Sequence, residues 1–163
     1  MLRHADHSDV SSIQAVLNAP SNWGKLEAYA DEVVHAAIED ERMTVFVWEE
    51  DKQWRGFCWL RRTSEGTKIE EFGVSLPGHG VGSRFFAALL ERVTRCGFQT
   101  PLWLAVAADN AEAIRFYEGF GFIGTEVKKS VWKRRAGPIA DALIMTHAPE
   151  RAASNAPRDQ DVT

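Results

Sequence analysis

A run of strand character, Glu70-Glu71-Phe72-Gly73-Val74-Ser75-Leu76, ends in Pro77-Gly78-His79-Gly80-Val81-Gly82. From Ser83 a helix follows, with apolar Phe85, Phe86, Leu89, Leu90 and Val93 on one face. The first amides of a helix have no partner inside it, and glycines let a ligand approach the backbone. This junction therefore suits a diphosphate or a similar anion. The spacing is neither the GxGxxG of dinucleotide sites nor a P-loop, since no GK[ST] follows. Further on, Asn110 to Phe122 reads N-A-E-A-I-R-F-Y-E-G-F-G-F, a short helix with a polar start, the pair Phe116-Tyr117, and glycines at its end. Glu70 and Glu71 are adjacent carboxylates on a strand. Neighbouring strand residues point to opposite faces, so only one of the two is expected to enter a site on a given face.

The elements that must position these groups alternate between strand and helix. Leu2–Ala5 reads as a strand, and Val10, Ile13, Val16 and Leu17 mark a helix that Ser8 or Asp9 caps. Leu26, Tyr29, Ala30, Val33, Val34, Ala37 and Ile38 form a second helical stripe. Thr44–Glu49 and Trp54–Leu60 make a hairpin, and Lys68–Leu76 is the third strand. Leu102–Ala107 is a buried strand. Asp109–Glu118 is a helix with Asp109 as its cap, and strands at Phe122–Val127 and Ala142–Thr146 close the fold. Residues 1–148 are expected to form one domain, and 149–163, which lack periodicity, a disordered tail.

Composition narrows the class. With 163 residues, 45% hydrophobic, the chain can bury a core, and a net charge of −4 offers no basic field for nucleic acid. Residues 76–163 are mildly basic, which suits an anionic ligand. Cys58 and Cys96 lack CxxC spacing or a His at ligand distance, and His4 and His7 have no further ligand, so neither a disulfide framework nor a metal site is expected. With no signal-type apolar stretch and no run long enough to span a bilayer, a soluble cytoplasmic protein without membrane contact is expected.

The pattern N-x-x-A-x-x-F-Y-x-x-x-G-F, met at Asn110, Ala113, Phe116, Tyr117, Gly121 and Phe122, resembles the second signature of the GNAT family of N-acetyltransferases. Gly80 and Gly82 fall where that family keeps R/Q-x-x-G-x-G/A. Leu2-Arg3-His4-Ala5 followed by Asp9 is similar to its first strand and helix. Gly137 with Asp141-Ala142-Leu143-Ile144-Met145 resembles a subgroup that acetylates amino acids and small amines such as phosphinothricin. The resemblance covers about residues 1–147.

It implies an α/β (α+β) single-domain fold, with a mixed, mostly antiparallel sheet splayed at its centre and flanked by helices. Acetyl-CoA is the implied cosubstrate, a small amine the acceptor, and direct transfer in a ternary complex the reaction. Val74, Ser75 and Leu76 would pair with the pantetheine arm, and the amides of His79, Gly80, Val81, Gly82 and Ser83 would hold the pyrophosphate. Asn110 would hydrogen-bond the pantetheine arm, Phe116 would belong to the cofactor site, and Tyr117 would protonate the departing thiolate. The acid that handles the acceptor amine is Glu70 if Val74 takes the family's valine position before the loop, and Glu71 if Leu76 does. The ending Val74-Ser75-Leu76 favours Glu71.

Pro77 replaces the family's Arg or Gln and cannot donate an N–H, and the loop before Gly80 is shorter than the family's, which bears on CoA binding. Trp23 falls on the acceptor side that the resemblance implies. The basic stretch Lys128, Lys129, Lys133, Arg134 and Arg135 reads first as a solvated loop and second as a site for an acceptor carboxylate. Trp48, Trp59 and Trp103 are expected in the core. A protein N-terminus or lysine is the second choice of acceptor. A non-catalytic CoA-sensing or partner-binding module is the alternative from another class, and an ATP- or NAD-binding domain a third. The last strands offer a route to a homodimer.

Overall fold

The computed structural model describes residues 1–150, so the expected tail lies outside the described residues from position 151 onward. Strand β1 (Leu2–His4) leads through a 3-10 turn at His7–Asp9 into helix α1 (Val10–Leu17). Asp6 begins the turn. Its carboxylate accepts the Ser8 N–H at 2.8 Å, and Asp9 accepts the Asp6 N–H at 2.9 Å, satisfying amides that a helix start leaves free. Asp9 also takes two nitrogens of Arg3 at 2.8 and 2.9 Å, which ties β1 to the turn.

The stripe from Leu26 to Ile38 becomes helical only at Asp31. Helix α2 spans Asp31–Glu39, with Asp31 and Glu32 placing negative charge at its amide-rich start. Leu26 and Tyr29 therefore sit in an irregular segment rather than on the expected helix, and their side chains are held by the sheet instead.

Strands β2 (Met43–Glu50) and β3 (Gln53–Thr63) form the hairpin, with φ of 51° and 61° at Asp51 and Lys52, as a tight two-residue turn requires. Then follow β4 (Gly66–Val74), α3 (Val81–Arg95), β5 (Leu102–Ala107), α4 (Ala111–Gly119), β6 (Phe122–Trp132) and β7 (Ala140–His147). The seven strands lie in the order β1-β2-β3-β4-β5-β7-β6, and every neighbour pair is antiparallel except β4 with β5. This is the mixed, mostly antiparallel sheet expected. Strand β6 runs on to Trp132, so the first half of the basic stretch is strand rather than loop. Its register slips between Lys128 and Trp132, where Ser130 has a φ of 52°.

Apolar clusters cover both faces, as the pleat alternates side chains. Phe85, Phe86 and Leu89 of α3 meet Cys58, Leu60, Ile69 and Leu104 on one face. Ile13, Val16 and Leu17 of α1 and Val34 of α2 meet Val45, Phe57 and Trp59 on the other. Of the three tryptophans expected in the core, Trp59 is buried. Trp48 is half-buried and stacks on Phe85 with centroids 5.7 Å apart, and Trp103 is half-buried beside Lys68. No helix among the described residues is long and apolar enough to cross a membrane.

The feature that makes a site is a parting at the sheet's centre. Strands β4 and β5 pair only through Thr67–Leu102, Lys68–Trp103 and Ile69–Leu104. Beyond these, β4 stays with β3 as far as Val74, and β5 stays with β7 as far as Ala107. The chain leaves the two strands for α3 and α4, so the wedge opens toward the N-termini of those helices.

Candidate active site

A cleft of about 470 Å³ fills the wedge, walled by Phe72, Gly73 and Val74 of β4, Ala105 and Val106 of β5, and the first turns of α3 and α4. The Ser75 N–H donates back to the Arg55 carbonyl at 2.9 Å, toward β3. Backbone groups alternate along a strand, so Phe72 and Val74 turn theirs toward the wedge, where a ligand that pairs like a strand would meet them. Ser75, expected to share that pairing, is committed to β3. Leu76 is exposed beyond the strand end and forms no part of the wall.

At the other wall, Gly78 and Gly80 have φ of 82° and 73°, a region in which side chains strain the backbone, and Gly80 starts α3. The Arg84 N–H donates to the Gly80 carbonyl at 3.2 Å, which leaves the amides of Val81, Gly82 and Ser83 free for an anion. A Cβ at Gly82 would lie 3.8 Å from the Phe116 ring, so the bare backbone keeps the passage between α3 and α4 open. The Val81 side chain is turned into the core, and the exposed His79 side chain is not on the wall.

Arg84, which sequence reasoning passed over, braces this rim. Its Nε and Nη2 donate to the Glu50 carboxylate at 2.7 and 2.9 Å, and Nη1 to the His79 carbonyl at 3.3 Å. The Arg84 guanidinium holds the Glu50 carboxyl down at about 2. Pro77 lines the cleft without offering an N–H.

Asn110, rather than Asp109, caps α4: its Oδ1 accepts the Ala113 N–H at 3.2 Å. Asp109 accepts from Arg134 at 2.8 Å instead. One turn on, the Tyr117 ring is wedged against Phe116, Phe86 and Phe122 at centroid distances of 5.3, 5.5 and 5.8 Å. Asn110, Phe116 and Tyr117 all line the cleft, and the Tyr117 hydroxyl makes no hydrogen bond among the described residues. Burial, then the neighbouring Cys58 and Glu71, raise its pKa above the ordinary phenol range, so it stays protonated and able to donate.

The two carboxylates break the expected alternation. Trp59 faces Glu71 and Leu60 faces Ile69, which leaves Glu70 as the extra residue of a bulge. Ile69 and Phe72 accordingly pack into the same cluster beneath α3, and both glutamates fall on the opposite face. They differ in partners. Glu70 is neutralised by Arg61 and by Lys68, the latter at 2.9 Å. Glu71 is 7% exposed and faces no cation among the described residues; its Oε1 accepts from the Tyr29 hydroxyl at 3.1 Å and the Glu27 N–H at 3.3 Å. Burial pushes the Glu71 carboxyl up to about 8, against the downward pull of those two hydrogen bonds. Neither glutamate is on the cleft wall; Glu71 lies behind it, two residues along the strand from Gly73.

Gly73 shows how tightly that region is packed. A Cβ there would come within 2.7 Å of Val16 Cγ1, 3.2 Å of the Phe57 ring and 3.3 Å of Leu26 Cδ1. Gly73→Ala is expected to destabilise the protein by about 1–3 kcal/mol through overpacking, read as a lower urea midpoint with an unchanged slope.

Beside the cleft, two segments that sequence reasoning could not join are bridged. The Arg135 N–H donates to the Trp23 carbonyl at 3.3 Å, and its guanidinium to Asn18 Oδ1 at 2.9 Å. Trp23 itself is 40% exposed and off the wall, where Asn22, Lys25, Leu26 and Trp132 stand instead. Within the basic stretch, Lys129 pairs with Asp141 at 3.1 Å and Arg134 with Asp109 at 2.8 Å, so these cations are already engaged.

The acetyltransferase (GNAT) family model matches residues 11–122, more than half of the chain. Mycothiol acetyltransferase of Brachybacterium faecium is 35% identical over 79 residues, which are 44% of this chain and 24% of that protein. The chain thus spans about a quarter of that relative's length. Among solved structures, spermidine N-acetyltransferase from Vibrio cholerae in complex with CoA and spermine aligns with a TM-score of 0.78 at 18% identity, covering 94% of this chain and 97% of that one. Ribosomal-protein-alanine N-acetyltransferase from Brucella melitensis aligns with a TM-score of 0.72 at 23% identity, covering 90% and 98%. At these identities the structural likeness speaks for the fold. The match over residues 11–122 means that the chain belongs to the acetyltransferase (GNAT) family.

Proposed function

We propose that the protein moves an acetyl group from acetyl-CoA to the amine of a small molecule, an amino acid or a related amine, in a ternary complex. The observation that carries this is the parted centre of the sheet, with unspent backbone groups on β4, free amides at the start of α3, and an unbonded Tyr117 hydroxyl in the same cleft. Acetyl-CoA, when bound, supplies an acyl group activated by a thiol leaving group.

Each protein group has a task in this reading. The amides of Val81, Gly82 and Ser83 hold the diphosphate. The edge at Phe72 and Val74 aligns the pantetheine arm, and the Val74 N–H polarises the thioester carbonyl. Asn110 offers its amide nitrogen from the start of α4. Tyr117 donates its proton to the leaving sulfur, and Glu71 receives the proton that the amine loses, through a water that bridges from the cleft. Holding amine and thioester together supplies much of the rate by proximity.

The bridge from Arg135 to Trp23 and Asn18 favours a small acceptor, because it crosses the side where a peptide would need an open groove. The exposed carboxylate of Glu27 favours a cationic amine on that side. Proteins named above act on different acceptors, so the choice rests on this chain's own geometry. The test is CoA release from acetyl-CoA with the common L-amino acids, spermidine and an alanine-ended hexapeptide as separate acceptors. The small amines are expected to turn over with the highest kcat/KM. Turnover confined to the peptide would replace the small-amine reading, and turnover of none would leave a non-catalytic binding module.

A further inference from the structure

Behind the cleft, three oxygens form a line from the interior to the surface. The Tyr29 hydroxyl lies 3.1 Å from Glu71 Oε1 and 3.1 Å from Glu27 Oε2, with Glu71 buried and Glu27 exposed. Tyr29 is held at both ends. Its ring packs on Trp59 at a centroid distance of 5.0 Å, and its carbonyl accepts from Gln14 Nε2 at 2.8 Å, while the same nitrogen binds Asp31 at 2.8 Å. A phenol has one proton and can donate to only one carboxylate. With both glutamates ionised, its lone pair would face an oxyanion, so the arrangement closes only when one more proton is present. Glu71 is the group that keeps it, because no cation among the described residues compensates its burial. With Glu71 protonated, its O–H donates to the Tyr29 oxygen and the Tyr29 O–H to the Glu27 carboxylate; with Glu71 ionised, the Tyr29 O–H turns to Glu71 Oε1.

We propose that Tyr29 and Glu27 form a proton exit that recharges Glu71 as a base: each turnover's amine proton leaves the buried site through the Tyr29 hydroxyl to Glu27 and then to water. The proposal rests on Glu71 being the proton acceptor in the reading above. In the recharging step the Glu71 O–H and Tyr29 O–H bonds break while new O–H bonds form on Tyr29 and Glu27. No electrons are exchanged with any other group. Glu27 gives its proton to solvent, and Glu71, now a carboxylate, takes the next proton from the ammonium as that N–H bond breaks. Tyr29 and Glu27 are positioning residues here, since they act through Glu71. The other titratable group on the same face is Glu70 on β4, bound to Arg61 and Lys68; Cys58 on β3 and Tyr117 on α4 feel the charge of Glu71 from the opposite face of the sheet. None of these connects Glu71 to the surface by hydrogen bonds.

The experiment has two readouts on the full chain. In ligand-free protein with ¹³C-labelled glutamate carboxyls, the Glu71 midpoint is expected to move on Glu27→Gln, and to stop responding to that substitution once Tyr29→Phe has removed the hydroxyl between them. In turnover with the best acceptor of the panel above, Tyr29→Phe is expected to lower kcat about tenfold or more at low buffer, with the KM for acetyl-CoA unchanged. Added imidazole should restore that loss by carrying the proton instead, while the wild type stays independent of imidazole. Glu27→Gln, at an exposed position where substitutions usually cost little stability, should lose rate in the same buffer-dependent way. A Glu71 midpoint indifferent to Glu27→Gln, or a Tyr29→Phe loss that imidazole never restores, would overturn the exit route. If Glu71→Gln itself keeps the wild-type rate and pH profile, the base role of Glu71 fails. If Glu71→Gln is slow while Tyr29→Phe and Glu27→Gln are not, only the exit route fails.

Discussion

Tyr117→Phe should lower the turnover number by about 10²–10⁴-fold while leaving the KM for acetyl-CoA and the stability of the fold close to those of the wild type. The ring is fixed by Phe86, Phe116 and Phe122, and phenylalanine keeps those contacts. The hydroxyl makes no hydrogen bond among the described residues, so its removal forfeits none, and the change in unfolding free energy should stay within about 0.5 kcal/mol. What disappears is a proton donor in a cleft where a thiolate would otherwise depart unprotonated. Because burial raises its pKa, Tyr117 stays protonated through neutral and mildly alkaline pH, so the loss should be the same from pH 6 to 9. Steady-state rates over that range check this. Equal rates for variant and wild type would remove Tyr117 from the chemistry.

Glu71→Gln should act on both rate and stability, with opposite signs. With its carboxyl raised to about 8, Glu71 is mostly protonated at neutral pH, and the fraction able to accept a proton grows as pH rises through 8. The wild-type kcat/KM is expected to carry an ascending limb near that value; in the variant this limb should be missing and the rate lower by about 10²-fold or more. The folded-state pKa lies above the ordinary carboxylate value of 4.5. Between those two values the unfolded chain has released a proton that the native protein still holds, so this group's contribution to stability falls as pH rises from about 4.5 to 8. The variant has no such loss. Its stability relative to the wild type should therefore grow between pH 5 and 9 by on the order of 3–5 kcal/mol, whatever constant offset the buried amide adds. Urea unfolding at several pH values measures this. A constant difference across the range would mean that Glu71 is ionised in the native state at neutral pH.

Much of the frame could be read from local signals. The Glu50–Gln53 hairpin, the glycine turn before α3, the bounds of β5 and the short helix carrying Tyr117 follow from periodicity and from Gly and Pro punctuation, which act within a few residues. The departures share a cause in contacts between distant segments. Leu26 and Tyr29 continue a helical stripe in sequence, yet Glu71, far along the chain, binds the Tyr29 hydroxyl and the Glu27 N–H in an irregular segment. Strict alternation placed Glu70 and Glu71 on opposite faces, whereas the bulge opposite Trp59 and Leu60 turns both to one. Ser75 was lost to the pairing edge through its bond to Arg55, a register detail that no composition rule carries. Asp109 and Asn110 are both good caps, and Arg134 decides between them by engaging Asp109.

The central claim is that the parted sheet is an acetyl-CoA site. The most direct measurement is the unfolding temperature titrated separately with acetyl-CoA, CoA, ATP and NAD, for the wild type and for Gly82→Val, whose side chain would meet the Phe116 ring across the passage between α3 and α4. A ligand selective for the native state raises stability by RT ln(1 + [L]/Kd). The account predicts a saturating rise with acetyl-CoA and CoA alone, and its loss in Gly82→Val. No rise with either CoA species, or an equal rise with ATP or NAD, would contradict it.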